Sequence, residues 1–165
     1  MSTPNHTCPS PASSRLPRLG AATLLTAAAV AVPCLLPGAA QHADAAALAT
    51  RALGIAASKK GSPYQWGAVG PYRFDCSGLT MYSFKKAGKT LPRTAAQQYN
   101  GTRHIAASAR KKGDLVFFHS GSSSSSVYHV GIYAGNGDIW HAPKTGATVR
   151  LEHIWTQAVW YGRVS

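Results

Sequence analysis

The chain has 165 residues, enough for one compact domain, and its 17 Lys and Arg against five Asp and Glu give a formal net charge of +12. The basic residues are scattered, apart from a short cluster at residues 110–112, and no nucleic-acid-binding module accompanies them. The charge therefore predicts a polyanionic surrounding, whereas the missing module and the scatter of the basic residues make DNA or RNA a weak candidate for the partner.

Residues 1–45 have the pattern of a secretory signal peptide. Arg15 and Arg18 form a basic start, an apolar stretch follows over residues 19–36, and Ala43-Asp44-Ala45 is the best cleavage site. We expect cleavage after Ala45, which leaves residues 46–165 as one exported domain in the cell wall or the medium.

Two other interpretations of the apolar stretch, a membrane anchor and a lipidation signal, have less support from the sequence. Pro33 and Pro37 interrupt its end, whereas a membrane-spanning helix needs roughly 20 predominantly apolar residues. Lipidation at Cys34 is disfavoured because Pro33 stands directly before it. We therefore expect no stable membrane insertion once the signal is removed.

Cysteine usage singles out one residue. Cleavage would remove Cys8 and Cys34 and leave Cys76 alone in a compartment where cysteines normally pair. The exported part would keep a charge of about +11, which favours anionic wall polymers such as teichoic acids as partners, with a simple solubility role as the alternative.

The first half of the exported chain reads as helices and loops. Asp75 is a suitable N-cap and Gly88 a suitable end for a helix that begins at Cys76. The predicted segments are a helix over 45–60, an irregular loop over 64–74, a helix over 76–87, a short helix over 94–99 and a basic connector over 105–112.

The second half is rich in short β-type runs. Gly135-Asn136-Gly137 predicts a hairpin turn between two of them, and the serine-rich residues 120–126 predict a surface loop. The five predicted strands are 115–118, 127–133, 138–142, 148–151 and 159–164. Helices followed by strands predict an α+β domain in which the helices pack on one side of an antiparallel sheet.

Cys76 is a candidate nucleophile, although a buried structural thiol is a common alternative. Its place at a helix N-terminus favours a thiolate, because backbone N–H groups and the helix dipole stabilise an anion there. The dipole contributes up to ~2 kcal/mol, or roughly 1.5 pKa units, which is too little to ionise the thiol at neutral pH. A cationic partner is therefore expected.

Histidine can supply that partner. Of the five histidines after residue 45, His129 lies inside a predicted strand and His141 at the end of the next one. A hairpin at Asn136 would place both on adjacent strands, so that His141 orients the ring of His129 in a triad with Cys76. On spacing alone, both histidines could instead be ordinary surface or core residues. Zinc binding by Cys76, His129 and His141 is a further alternative, but the sequence has no pair of ligands at the spacing typical of zinc sites.

Six blocks of the exported chain resemble, in order, the signatures of the NlpC-type cell-wall cysteine endopeptidases. The resemblance extends over nearly the whole exported chain. The blocks are Pro63-Tyr64-Gln65-Trp66-Gly67, Phe74-Asp75-Cys76-Ser77-Gly78-Leu79, Leu91-Pro92-Arg93-Thr94, Gly113-Asp114-Leu115-Val116-Phe117-Phe118, His129-Val130-Gly131-Ile132-Tyr133 and His141-Ala142-Pro143. The resemblance implies a papain-like α+β fold whose nucleophile opens a helix packed on a small sheet.

Residue roles follow from the resemblance. Cys76 matches the nucleophile, His129 the general base and His141 the polar residue that orients it. The backbone N–H of Cys76 and the hydroxyl of Tyr64 match oxyanion donors. Covalent chemistry of this kind needs no cofactor and no metal.

Three further residues flank the nucleophile in these blocks. Asp75 and Ser77 match positions that grip the peptide stem of the substrate, and Arg93 matches a frequent arginine with either a structural or a catalytic role. The sequence departs from the pattern at Ala68, where a second glycine is usual, and at 122–126, where serines lengthen the loop before His129. Both departures bear on substrate detail more than on the chemistry.

The resemblance implies hydrolysis of the D-γ-glutamyl to diamino acid bond in peptidoglycan stem peptides. Rival interpretations are an amidase at the junction between glycan and L-alanine, a transferase that uses an amine in place of water, a cationic wall-binding module, and a toxin against other bacteria.

Overall fold

A computed structural model describes residues 37–165, which form three α-helices and six β-strands. Residues 1–36 of the predicted signal peptide, with Cys8 and Cys34, lie outside the described residues. The elements are α1 (Pro37–Ser58), α2 (Cys76–Ala87), α3 (Ala95–Asn100), β1 (Arg103–Ile105), β2 (Leu115–His119), β3 (Val127–Gly135), β4 (Asp138–His141), β5 (Arg150–His153) and β6 (Val159–Arg163).

The strands form one antiparallel sheet in the order β1-β6-β2-β3-β4-β5. Successive side chains along each strand point to opposite faces of this sheet. In β2, Leu115 and Phe117 pack in the cluster that includes α1 and α2, whereas Val116 and Phe118 pack on the opposite face. The predicted α+β architecture is confirmed.

Helix α2 has the predicted bounds because both of its caps are encoded locally. The carboxylate of Asp75 accepts a hydrogen bond from the backbone N–H of Gly78, and Gly88 adopts a left-handed conformation with φ of 113°. A residue with a Cβ is strained at this φ, which is why a glycine ends the helix here. Cys76 is thereby fixed as the first residue of α2.

The hairpin between β3 and β4 also matches the prediction. Asn136 and Gly137 have φ values of 54° and 84°, and Gly135 pairs with Asp138 across the turn. Positive φ at both central residues is typical of the type I′ turn, whose twist suits adjacent antiparallel strands. The turn thus fixes the register in which β3 pairs with β4.

A buried glutamine ties α3 to the first turn of α2. The side-chain amide of Gln98 donates to the carbonyl oxygens of Ser77 and Pro92, and its oxygen lies 2.7 Å from the hydroxyl of Thr80. Thr94 caps α3 through a capping box with Gln97. These contacts hold the segment before α3 against the start of α2.

Three expectations require correction. The sheet has six strands rather than five, because Arg103–Ile105, which ends where the connector predicted over 105–112 begins, pairs with β6. Helix α1 begins at Pro37 rather than residue 45, and β5 spans Arg150–His153 rather than 148–151 because its partner β4 sets its register. Within residues 37–165, no helix is both long and apolar enough to cross a membrane.

Candidate active site

Cys76 lies where α2 begins, and it is the free cysteine of the described residues. Its side chain is partly buried and contacts the helix-facing core cluster. It borders a cavity of about 410 Å³, here called the histidine cavity, which Tyr64, His129, His141 and Trp155 also line. The structure thus brings the predicted nucleophile, the predicted base and the predicted orienting residue to one cavity.

Asp75 organises the segment before Cys76. One carboxylate oxygen accepts from the N–H of Gly78 at 2.6 Å and the other from the N–H of Gly67 at 2.9 Å. Arg93 binds both oxygens, and its Nη1 also donates to the hydroxyl oxygen of Ser77 at 2.9 Å. Asp75 and Ser77 are buried, so their predicted contact with substrate stays a prediction beside this observed internal network.

A second depression, here called the arginine groove, begins on another side of Cys76. It has a volume of about 640 Å³ and shares Trp66, Cys76 and Tyr128 with the histidine cavity. Its other lining residues include Asp75, Ser77 and Arg93. Cys76 therefore borders both depressions.

The two histidines are directly hydrogen bonded. Nε2 of His129 lies 2.9 Å from Nδ1 of His141, and both rings are buried, with 7% and 1% of each residue exposed. The bond leaves Nδ1 as the ring nitrogen of His129 that is available to another group. This hydrogen bond is the contact expected if His141 orients the ring of His129, a role that stays a prediction.

Three residues beside the histidines were not found from the sequence. Nε2 of His141 lies 2.9 Å from Oε2 of Glu152, and Arg150 donates to the same oxygen at 2.7 Å. Trp155 stacks on Phe118 and leans against both imidazoles, with ring centroids 5.7 Å from His129 and 5.5 Å from His141. The one sequence signal for Glu152 was its alternation with Arg150 in a short strand, which puts both side chains on one face.

Burial controls the charges of the site. Desolvation, together with repulsion by His141, lowers the pKa of His129 to about 3, and desolvation also lowers the pKa of His141. Desolvation and the nearby Asp75 carboxylate raise the pKa of the Cys76 thiol, against the opposing backbone N–H groups of Val130 and Ser77. The resting site therefore holds a neutral thiol and neutral imidazoles, which differs from the thiolate and cationic histidine expected from the sequence.

Tyr64 reaches the histidine cavity from the loop before α2. Its hydroxyl has a raised pKa, chiefly because of burial and then because of the negative charges that Cys76 and Asp75 can carry. The hydroxyl is therefore protonated at neutral pH and can donate a hydrogen bond into the cavity. Within residues 37–165, no group of three or more His, Cys, Asp or Glu side chains is arranged to hold a metal ion.

The comparisons with known proteins agree with this architecture. Residues 61–164 match the family model described as the NlpC/P60 family. Over 94 residues the chain is 51% identical to the probable endopeptidase p60 of Listeria monocytogenes, covering 57% of this chain and 18% of that protein. Over 88 residues it is 47% identical to the bifunctional muramidase/DL-endopeptidase CwlT of Bacillus subtilis, covering 53% and 27%. The chain spans less than a third of the length of either relative.

Solved structures give the same result for the fold. The P60 domain of an antigen from M. avium subspecies paratuberculosis aligns with a TM-score of 0.64 at 28% identity, covering 72% of this chain and 96% of that one. The peptidoglycan hydrolase RipB from Mycobacterium tuberculosis aligns with a TM-score of 0.64 at 28% identity, covering 78% and 71%. The papain-like fold expected from the resemblance is confirmed.

Proposed function

Because the chain belongs to the NlpC/P60 family, we propose that it is a cysteine peptidase that hydrolyses the D-γ-glutamyl to diamino acid bond in peptidoglycan stem peptides. The observation that carries the proposal is that Cys76, the one cysteine of residues 37–165, stands at a helix N-terminus and borders the same cavity as a buried, hydrogen-bonded histidine pair. The name of CwlT, a DL-endopeptidase, supports this bond over the junction between glycan and L-alanine.

In the proposed reaction, His129 takes the proton of the Cys76 thiol as the sulfur attacks the γ-carbonyl carbon. His129 then gives that proton to the departing amine, the C–N bond breaks, and a thioester to Cys76 remains. A water molecule, deprotonated by His129, attacks the thioester and releases the γ-glutamyl carboxylic acid, and the proton returns to the sulfur. The sequence of steps balances without a cofactor.

The negative charge that forms on the carbonyl oxygen needs donors in place. The backbone N–H of Cys76 is one candidate, since the first N–H groups of a helix have no intrahelical acceptor. The hydroxyl of Tyr64 is the other, and its raised pKa keeps the hydrogen on it that it would donate. His141 is assigned the orientation of His129, which its 2.9 Å hydrogen bond supports.

Proton transfer assigns the two depressions to the two halves of the substrate. The departing amine must receive its proton from His129, so the diamino acid belongs in the histidine cavity, which His129 lines. The γ-glutamyl part then belongs in the arginine groove, where Asp75 and Ser77 are the predicted contacts.

We also propose that residues 1–45 are a secretory signal and that residues 46–165 act in the cell wall. In the described residues, the buried positions of α1 begin at Leu48 and continue through Ala49, Ala52 and Ala56. Cleavage after Ala45 would therefore leave all of these buried positions in the exported domain. The high positive charge supports attraction to anionic wall polymers.

The test is mass spectrometry of peptidoglycan fragments after incubation with the purified protein. We expect a new γ-glutamyl terminus with the wild type and none with Cys76→Ala or His129→Ala. His153→Ala is the matched control, because His153 is exposed and pairs with Asp138 on the neighbouring strand. Cysteine-dependent cleavage at another bond would correct the specificity, and intact fragments that nevertheless bind the protein would favour a wall-binding module.

A further inference from the structure

The contacts of the histidine pair continue to a carboxylate at its outer end. Glu152 on β5 receives Nε2 of His141 and the guanidinium of Arg150 on a single oxygen, Oε2. The strand register explains the arrangement: Arg150 lies opposite His141 in the β4 to β5 pairing, and Glu152 is two residues further along the same face. The carboxylate is thus held in place on the strand next to the histidines.

The direction of each hydrogen bond follows from the chemistry of the groups. An ionised carboxylate only accepts, so Nε2 of His141 must carry the hydrogen. The cation of Arg150 and the bond from His141 lower the pKa of Glu152 against its burial, in keeping with an ionised carboxylate. A neutral imidazole has one N–H, so Nδ1 of His141 is then an acceptor.

The same argument applies to the ring of His129. Since Nδ1 of His141 accepts, Nε2 of His129 must donate across the 2.9 Å that separates them. Neutral His129 then has no hydrogen on Nδ1, and this nitrogen is the one that His141 leaves unoccupied. The unprotonated nitrogen is the one that a general base requires.

We infer that Glu152 is a positioning residue that fixes the tautomers of both histidines, so that Nδ1 of His129 is left unprotonated to receive the proton of Cys76. Without the carboxylate, His141 is free to carry its hydrogen on Nδ1 and donate it to Nε2 of His129. His129 would then carry its own hydrogen on Nδ1 and could not accept the thiol proton. The catalytic consequence, unlike the tautomers themselves, rests on the proposed function.

The first experiment measures the tautomers in the free wild-type protein by ¹⁵N NMR of the imidazole rings, with the full chain and no substrate. Both His129 and His141 are expected to carry their hydrogen on Nε2. In Glu152→Gln, whose amide can donate as well as accept, a population with hydrogen on Nδ1 is expected in both rings. A hydrogen on Nδ1 of either ring in the wild type overturns the inference, as does an unchanged pair of tautomers in the variant.

The second experiment measures turnover of peptidoglycan fragments. Glu152→Gln is expected to lower kcat by about 10- to 100-fold with little change in KM, since orienting partners of a catalytic base act on the chemical step. Asp138→Asn is the matched control, because Asp138 pairs with the exposed His153. An unchanged kcat in Glu152→Gln, or an equal loss in Asp138→Asn, overturns the inference. A wild type that cuts nothing refutes the proposed function instead, and the NMR result still decides on Glu152.

Discussion

Replacing Arg93 by alanine distinguishes the two roles that the sequence leaves open for this residue, structural and catalytic. The guanidinium Nη1 lies 3.2 Å from Oδ1 of Asp75 and 2.9 Å from Oγ of Ser77, and Nη2 pairs with the other oxygen of Asp75. The side chain of Asp75 is 8% exposed and that of Arg93 is 38% exposed. The replacement therefore leaves a buried carboxylate without its cation.

The size of the effect follows from what remains around Asp75. Removing one partner of a buried ion pair costs about 3–5 kcal/mol, because the other charge stays buried without compensation. Here Asp75 keeps its hydrogen bonds from the N–H groups of Gly67 and Gly78, and water can reach the partly exposed position of Arg93. We therefore expect Arg93→Ala to lower the free energy of unfolding by about 2–3 kcal/mol.

Urea unfolding measures this change, with Arg73→Ala as a matched control. Arg73 is an exposed arginine of the loop before α2, two residues from Asp75, and its replacement should change the free energy of unfolding by less than about 0.5 kcal/mol. Arg93→Lys should fall between, because lysine keeps the charge but loses the forked hydrogen bonds. If Arg93→Ala is as stable as the wild type and yet inactive, Arg93 acts on the substrate and the reasoning is refuted.

Three further outcomes are expected. As pH falls from about 6.5 toward 3, the unfolded chain binds a proton that buried His129 does not, so the free energy of unfolding should drop by up to about 1.4 kcal/mol per pH unit, and the lowered pKa of His141 adds to the drop below pH 6.5; urea titrations without an acid slope would contradict this. The rate at which iodoacetamide alkylates Cys76 should rise with pH, and its midpoint should lie above the usual thiol pKa of 9.0. A midpoint at acidic pH would indicate a resting thiolate. Gly78→Ala should destabilise the fold by at least about 1–3 kcal/mol in thermal unfolding, since its Cβ would lie 2.1 Å from the carbonyl oxygen of Ala68; wild-type stability would mean that the loop yields freely.

The elements that were predictable from sequence are those with local signals. Helix α2 has a capping aspartate and a terminal glycine, and the hairpin has an asparagine and a glycine at the positions with positive φ. Strand β1 has no such signal: it is three residues long and largely exposed, and it exists because residues 103–105 pair with β6 some 60 positions later. Propensity within a short window cannot detect that pairing.

The candidate site divides in the same way. Cys76, His129 and His141 stand in blocks that sequence reasoning can recognise, and the turn between β3 and β4 predicts that the histidines approach each other. Glu152 is different, because its contact depends on the register of β5 against β4, and the strand itself was predicted two residues too early, at 148–151. Trp155 lies in the connection after β5, and only the folded chain places it over the imidazoles.

The charge state of Cys76 shows why a local rule was insufficient. A helix N-terminus favours an anion by up to ~2 kcal/mol, but it acts together with burial and with the carboxylate of the adjacent Asp75, and both of these raise the pKa of the thiol. The capping residue that fixes the position of the nucleophile therefore also opposes its ionisation. Arg93, bound to the same carboxylate, reduces that opposition and keeps the cap in place.

In the proposed mechanism, the charges on Cys76 and His129 therefore form during the reaction and are absent from the resting protein. The proton leaves Cys76 only as a carbonyl arrives, and the negative charge moves from sulfur to an oxygen near Tyr64 and the backbone N–H of Cys76. The positive charge forms on His129, where Glu152 acts electrostatically to raise the pKa of the imidazole against its burial. Donors and a carboxylate fixed in advance stabilise these charges without reorganisation, which is how a buried, neutral pair can still be reactive.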